Sequence, residues 1–320
     1  MLLSRVADGL YWTARYLERA EHSARLLEVG LDLGLGRASA SRRGTADRLY
    51  ASLGLPTEVA SYRAGDRSPL IDAALFDLSS RNSVAACVTA ARENGRQVRE
   101  EISSEMWEQL NALFLSIRQA QSNTDRASRP HYVCRSVISG IHLFQGITDA
   151  TMGHGEGWQY LQAGRFIERA AATAALIGVF LPGQTPAMRD EIDHVDSVAL
   201  LRSCSALEAY CRFYTADVRS ERVAEFLLLN VDFPRSVRFA AARLESALLA
   251  LARASGRRVG GRAERLAGRL HASLDYGQVD EILDEDPTAY LTGIAGQCAQ
   301  IHTALYQSYV TYTIESAIPA

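Results

Sequence analysis

One six-residue stretch occurs twice in this 320-residue chain, as RYLERA at residues 15–20 and as RFIERA at residues 165–170. Apolar residues recur at the same spacing of 150 residues after each copy. A weaker match pairs NSV at residues 82–84 with RSV at residues 235–237. Two matches in the same order, at nearly one spacing, predict an internal duplication.

The rest of the chain predicts a helical protein. Apolar residues recur at helical spacing almost throughout, and alternating β-branched runs are nearly absent. We therefore predict an all-α helical bundle built from two related halves, residues 1–130 and 131–320, that form one continuous domain over 1–315. The predicted helices cover residues 4–33, 45–54, 69–78, 83–103, 105–121, 131–152, 156–181, 191–214, 220–229, 235–254, 260–274 and 288–315.

The composition excludes several classes of enzyme. All 34 basic residues are arginine, which rules out Schiff-base lysines and phosphate loops that end in Gly-Lys. The net charge of −3 gives no overall attraction to nucleic acid. The one basic segment, residues 253–269, lacks interleaved aromatic residues, so we interpret it as a solvated loop and predict no nucleic-acid binding.

The compartment is predicted from the cysteines and the apolar runs. The five cysteines are widely spread and form no Cys-x-x-Cys pair, as is typical of a reduced cytoplasmic protein. No secretion signal is recognisable at the first residues. The longest uncharged run, residues 170–188, is broken by prolines and is too short to span a bilayer. We predict a cytoplasmic protein without a membrane segment or cofactor.

The repeated stretch also carries the candidate site. In the first copy the charged residues lie on one helical face, and the simplest interpretation is an amphipathic helix with a solvated side. The second copy continues with alanines, which predicts a central, buried helix, although it still contains Arg165, Glu168 and Arg169. Because buried charges must be paired, we predict a central cluster with Arg–Glu pairs three residues apart on each helix, serving either as a structural lock or as a pocket for an anionic or zwitterionic ligand. Its predicted members are Arg15, Glu18, Arg19, Arg165, Glu168 and Arg169.

Other polar residues extend this hypothesis. Arg135, Arg202 and Glu208 lie on neighbouring helices and are further candidates for ligand binding, with an intrahelical salt bridge as the alternative for Glu208. Weak candidates for a metal site are Asp149, His154 and Glu156, although no metal-binding spacing supports them. The more ordinary interpretation is that Asp149 lies at the end of one helix and Glu156 at the start of the next.

Several long motifs resemble the bacterial alpha-E family. They are LSRVADGLYWTARYLERAE at residues 3–21, SSEMWEQLN at 103–111, GHGEGW at 153–158, GRFIERA at 164–170 and AEFLLL at 224–229. The resemblance runs from Leu2 to about Tyr309. The chain departs from the family pattern at Ala171, where relatives often carry an acid. At the equivalent position of the first copy, Glu21 is acidic.

The resemblance implies an all-helical protein that works with a circularly permuted ATP-grasp ligase, and with a transglutaminase-like protease as a further neighbour, in making or modifying peptides. The family's characteristic glutamates and arginines correspond to the six predicted members of the cluster. We therefore expect an accessory subunit that binds a peptide or amino-acid ligand. The alternatives are an enzyme that uses Glu18 or Glu168 as a catalytic residue, and a purely structural scaffold.

Overall fold

Helices make up nearly all of the described chain. The computed structural model of the protein describes residues 2–33, 40–54, 68–122, 129–180, 194–214, 217–256 and 260–310. Within these ranges there are fourteen α-helices and no β-strand, which confirms the predicted all-α fold. The helices are α1 Ser4–Leu33, α2 Ala40–Ala51, α3 Ser68–Leu75, α4 Val84–Gln97, α5 Ser104–Ser122, α6 Pro130–Thr151, α7 Glu156–Phe180, α8 His194–Ser203, α9 Leu207–Tyr214, α10 Ser220–Leu229, α11 Val237–Ala254, α12 Arg262–Asp275, α13 Val279–Asp284 and α14 Pro287–Leu305, and α14 continues into a π-helical segment, Tyr306–Val310.

Side-chain caps fix two of the helix starts. Ser83 accepts a hydrogen bond from the Ala86 N–H (3.1 Å) at the start of α4, and Ser236 accepts one from the Phe239 N–H (3.0 Å) at the start of α11. Each hydroxyl thereby satisfies an N–H that has no partner inside its helix. Ser83 and Ser236 are the middle residues of the weaker sequence match, so that match marks two equivalent helix starts.

The two helices that carry the repeated stretch cross at the centre of the molecule. A Cβ atom on Gly164 would lie 2.2 Å from the Tyr11 carbonyl oxygen, so only glycine allows the backbones of α1 and α7 to approach this closely. Helix α7 is buried along most of its length, as predicted. Helix α1 is enclosed as well, because α4, α6 and α7 all pack against it. The simple interpretation of α1 as having a solvated charged face is therefore wrong.

The helices around the central pair repeat one arrangement. Helix α1 packs against α4 and α6, with α5 lying against both of those helices. Helix α7 packs in the same way against α11 and α14, with α12 lying against both. Buried apolar side chains from both sets belong to a single core. The repeated arrangement is what a duplication would produce, but the duplication and the division at residue 130 stay predictions.

The predicted helix over residues 191–214 is wrong, because the described residues form two helices, α8 and α9. Ser205 has a φ of 52°. Its N–H donates to the Arg202 carbonyl (3.0 Å), while the Ala206 N–H donates to the Leu201 carbonyl (2.8 Å). This is a Schellman ending with serine at the position where glycine is usual, so the sequence carries no glycine to indicate the break.

Other boundaries differ by smaller amounts. The predicted helix 83–103 ends at Gln97 in α4, α2 begins at Ala40, and α13 was not predicted. The tail of the helix predicted over 288–315, the first three residues of the helix predicted over 191–214, and Arg257 and Arg258 of the basic segment lie outside the described residues.

Among the described residues, no helix combines the length and the apolar character that crossing a bilayer requires. All five cysteines are free thiols, and four of them are buried.

Candidate functional site

The charged residues of the two repeated stretches meet where α1 crosses α7. Glu18 and Glu168 are each bound by arginines of the opposite helix. The predicted pairing, between an arginine and a glutamate three residues apart on one helix, is therefore wrong. Because the equivalent faces of the two helices oppose each other, each carboxylate reaches across the crossing rather than along its own helix.

Glu18 lies at the more deeply buried end of this arrangement, and its side chain is 2% exposed. Both of its carboxylate oxygens accept hydrogen bonds from Arg169, one from Nε (2.6 Å) and one from Nη2 (2.7 Å). Arg235, just before α11, places its Nη1 3.4 Å from Glu18 Oε1. This bidentate geometry is the strongest form of an arginine–carboxylate pair.

Glu168 lies at the second end, which is closer to the solvent. Its two oxygens accept hydrogen bonds from the Nε atoms of Arg15 and Arg19, both at 2.7 Å. The side chains of Arg15 and Arg19 are 16% and 23% exposed, compared with 3% for Arg169. One carboxylate thus holds two guanidinium groups at this end.

Glu21 is a third buried carboxylate, one helical turn beyond Glu18. It accepts hydrogen bonds from Arg235 and from Arg25 Nη2 (2.6 Å). His142 Nε2 lies 2.8 Å from Glu21 Oε1, and it must be the donor because an ionised carboxylate only accepts.

Glu21, Arg25 and Arg235 were not among the predicted site residues. The weaker repeat contained a signal for one of them, since Arg235 occupies the position that Asn82 has in the first copy. A charged residue at that position, next to the cap of a helix that packs on α7, indicates a buried ion pair.

These ion pairs keep all three glutamates ionised. Burial alone would raise the pKa of each carboxyl group, but the neighbouring arginines outweigh it. Arg169 and Arg235 lower the pKa of Glu18, Arg15 and Arg19 lower that of Glu168, and Arg235 holds the pKa of Glu21 well below its usual value. A carboxylate with a lowered pKa is a weak proton acceptor, which opposes the alternative in which Glu18 or Glu168 is a general base.

The charges around the crossing do not balance. Six guanidinium groups and three carboxylates leave a formal excess of three positive charges. His22 adds no charge at neutral pH, because burial, and then Arg235, lowers its pKa to about 4. Two of the six arginines are buried and four are partly buried, and an excess of positive charge that is partly shielded from water favours an anionic guest. We call these residues the Arg/Glu cluster: Arg15, Glu18, Arg19, Glu21, Arg25, Arg165, Glu168, Arg169 and Arg235.

Arg165 is the arginine of the cluster without an ion pair among the described residues. Its Nη2 donates to Gln145 Oε1 (2.8 Å), and its Nε is buried without a hydrogen bond. Burial, and then the charge of Arg169, lowers the pKa of Arg165 to about 10. Arg165 lines a narrow recess between α1, α6 and α7 together with Gln145, Thr148 and Gln162, and we call this space the Arg165 recess.

Arg15 lies in a different environment, which is filled with aromatic rings. Its guanidinium carbon lies 4.6 Å from the centre of the Trp12 ring, and Nη1 lies 3.5 Å from His302 Nδ1. The Tyr11 hydroxyl is 2.9 Å from the same nitrogen. A guanidinium group only donates, so His302 Nδ1 is the acceptor. Tyr306, in the π-helical segment, donates to Asp8 and accepts from the Trp12 indole.

Three predicted ligand-binding residues lie away from the cluster. Arg135 is exposed and pairs with Glu28 (2.7 Å), and Arg202 pairs with Asp32 (2.5 Å) near the end of α1. Glu208 is exposed on α9. Arg135 lies on an exposed face of α6, and the turn at Ser205 separates α8 from α9. The role of these three residues in ligand binding stays a prediction.

The weak metal candidates are not brought together. Asp149 is exposed near the end of α6, His154 stacks on Trp158 with 4.2 Å between ring centres, and Glu156 begins α7 and accepts a hydrogen bond from the Leu2 N–H (2.5 Å). Among the residues that the structure describes, no group of three or more His, Cys, Asp or Glu side chains is placed to hold a metal ion. The placement of Asp149 and Glu156 near helix ends agrees with their ordinary interpretation.

Comparison with known proteins gives one family match. A family model named Alpha-E, described as a predicted alpha-helical domain with a conserved ER motif, matches residues 2–310. An uncharacterized protein of Mycobacterium bovis is 25% identical over an alignment that covers 94% of this chain and 35% of that relative. An uncharacterized protein of Mycobacterium tuberculosis is 24% identical with the same coverage. The chain therefore spans about a third of the length of the curated relatives it matches, and no solved structure matches it.

Proposed function

Because this chain belongs to the Alpha-E family, we propose that it is the ligand-binding, accessory part of a system that makes or modifies peptides together with an ATP-grasp amidoligase. The Arg/Glu cluster holds an anionic group of the peptide or amino acid. A transglutaminase-like protease is a further partner of the same system.

The excess of positive charge in the Arg/Glu cluster carries this proposal. A structural lock needs only as many guanidinium groups as carboxylates, whereas this cluster holds three more. An Arg-only protein is suited to carboxylates, because the planar guanidinium fork engages both oxygens. An amidoligase joins a carboxylate to an amine, so a subunit that holds carboxylates fits such a system.

The relatives support the proposed association with partners, and the cysteines support the proposed cytoplasmic location. The two mycobacterial relatives extend well beyond the aligned region, which leaves room in them for partner domains. The five free thiols suit a reducing compartment, and we place the protein in the cytoplasm.

The partner proposal is tested by mixing the purified chain with a circularly permuted ATP-grasp ligase from the same organism, at about 10 μM each. Size-exclusion chromatography with light scattering should show one complex. The ligase should then form product faster with this chain than without it, while this chain alone turns over no substrate. Separate elution at that concentration contradicts the partnership, and turnover by the isolated chain favours the enzyme alternative.

A further inference from the structure

The Arg165 recess contains a buried polar atom without a hydrogen-bond partner, the Nε of Arg165. The amide side chain of Gln162, a residue that is 7% exposed, lines the same recess. Buried polar groups in proteins nearly always have partners, so the unpartnered Nε indicates that something else occupies the recess.

Comparison of the two repeated stretches shows why the space exists. Trp12 stands three residues before Arg15, and Gln162 stands three residues before Arg165. His302 contacts Arg15 where Gln145 contacts Arg165. At Arg15 the aromatic rings fill the space beside the guanidinium group, whereas the smaller side chains at Arg165 leave it open.

The size of the recess selects the ligand. Its room for the centres of water-sized molecules is about 30 Å³. The space is therefore small and favours a compact end group of a ligand. A planar carboxylate group is smaller than a tetrahedral phosphate group and matches the planar guanidinium fork of Arg165.

We propose that the Arg165 recess is a subsite for a single carboxylate group, bound by the guanidinium group of Arg165 and the side-chain amide of Gln162. The recess is small, so we expect the carboxylate to enter at the end of a larger molecule whose remainder lies outside. This inference rests on the proposed function only for its source of the carboxylate, which is a peptide or an amino-acid derivative.

The test uses N-acetylglycine as the probe and ¹⁵N-labelled protein in buffer of low salt at pH 7. The Arg165 Nε–H signal, identified by its loss in Arg165→Gln, should shift and saturate with a dissociation constant in the millimolar range, as is usual for so small a ligand. N-acetylglycinamide, which lacks the carboxylate, should cause no shift. Inorganic phosphate should bind at least about tenfold more weakly.

Two variants and one control locate the binding. Both Arg165→Gln and Gln162→Leu should weaken binding of N-acetylglycine by about 10- to 100-fold, since each removes one donor to the carboxylate. Arg135→Gln, which changes an exposed arginine outside the cluster, should leave binding unchanged. Arg165→Gln should also keep or raise the melting temperature, because it removes a buried charge without an ion pair, whereas a structural role predicts a lower one.

The proposal is overturned if the Arg165 signal does not move, if the amide shifts it equally, if phosphate binds more tightly, or if Gln162→Leu binds as the parent protein does. These results are independent of the ligase experiment. Binding of N-acetylglycine without formation of a ligase complex would support the subsite and contradict the partnership. Formation of a ligase complex without binding of N-acetylglycine would support the partnership and contradict the subsite.

Discussion

The two ends of the Arg/Glu cluster use the same motif under different conditions. At one end, Glu18 and Arg169 are almost completely buried and form a bidentate pair. At the other, Glu168 is shared between Arg15 and Arg19, which retain contact with solvent. The equivalent ion pairs at the two ends should therefore contribute differently to the free energy of unfolding. The more deeply buried end, at Glu18, should contribute more.

The difference comes from one additional residue. By the symmetry of the motif, Arg165 should pair with Glu18 as Arg15 pairs with Glu168. Arg235 contacts Glu18 in place of Arg165, and it also contacts Glu21. Arg165 instead donates to the amide of Gln145 and lines the open recess. The additional arginine at this end therefore leaves Arg165 without a carboxylate partner among the described residues.

The largest expected effect comes from removing the buried carboxylate. Glu18→Gln should lower the free energy of unfolding by about 4 kcal/mol, because Arg169 and Arg235 then remain buried beside a neutral amide. Glu168→Gln should cost about 2 kcal/mol, because Arg15 and Arg19 can turn toward water. Urea denaturation at pH 7, followed by circular dichroism, measures both values.

The ranking of the two variants matters more than either value. Equal losses, or a larger loss for Glu168→Gln, would contradict the assignment of the Glu18 end as the structural one. Both variants should keep the helical signal of the parent protein at low urea, which separates a loss of stability from a change of fold.

The fold was largely predictable because local signals and the global packing agree. The starts and ends of α1, α5, α6, α7 and α10 were predicted to within a residue, since apolar periodicity spans them without interruption. The break between α8 and α9 was not predictable, because it depends on a serine in a left-handed conformation. Only tertiary packing selects that conformation.

The site was predictable in its members but not in its connections. Repetition pointed to the arginines and glutamates of the two stretches. Glu18 could pair with an arginine of its own helix or with one of the opposite helix. The choice depends on how α1 and α7 cross, which the residue spacing within one helix does not predict. A continuous helix over 191–214 would have placed Arg202 and Glu208 on one face, whereas the turn at Ser205 separates α8 from α9.

The second prediction tests the close crossing on which both ends depend. Gly164→Ala should destabilise the protein by about 3 kcal/mol, because its Cβ would lie 2.2 Å from a backbone oxygen that cannot move without shifting α1. The matched control is Gly146→Ala, also within a helix, where nothing lies within 4 Å. That control should gain about 0.5–1 kcal/mol. Thermal and urea unfolding of the pair suffice, and two similar effects would show that the crossing tolerates separation.

The third prediction concerns His22, which lies near the Glu18 end. Burial is the main reason for its lowered pKa, and Arg235 adds to it, while Glu18, Glu168 and Glu21 oppose it. The imidazole is therefore neutral in the folded protein at a pH where it is protonated in the unfolded chain. Stability from this residue is fully present above pH 6.5 and is lost as the pH falls toward 4.

The His22 ring is mostly buried but keeps some contact with solvent, which weakens the effect, so it should account for about 2 kcal/mol of stability across that interval. In His22→Asn, the free energy of unfolding should decline less between pH 6.5 and pH 4.5 than in the parent protein. Below about pH 4.5 both proteins should lose stability together, because the three glutamates have lowered pKa values in the folded state and bind protons more readily when unfolded. An unchanged slope in the variant would show that His22 is solvated and outside the influence of Arg235.

The smallest expected effect lies outside the cluster. Arg202→Gln removes an ion pair with Asp32 in which the arginine side chain is 42% exposed. Exposed pairs contribute at most about 0.5–1 kcal/mol, because water screens the charges and two long side chains must be held in place. The variant should therefore unfold within about 0.5 kcal/mol of the parent protein, and raising the salt concentration should remove the remaining difference. A loss comparable to that of Glu168→Gln would mean that burial does not separate structural from dispensable arginines in this protein, and the contrast between the two ends would lose its physical basis.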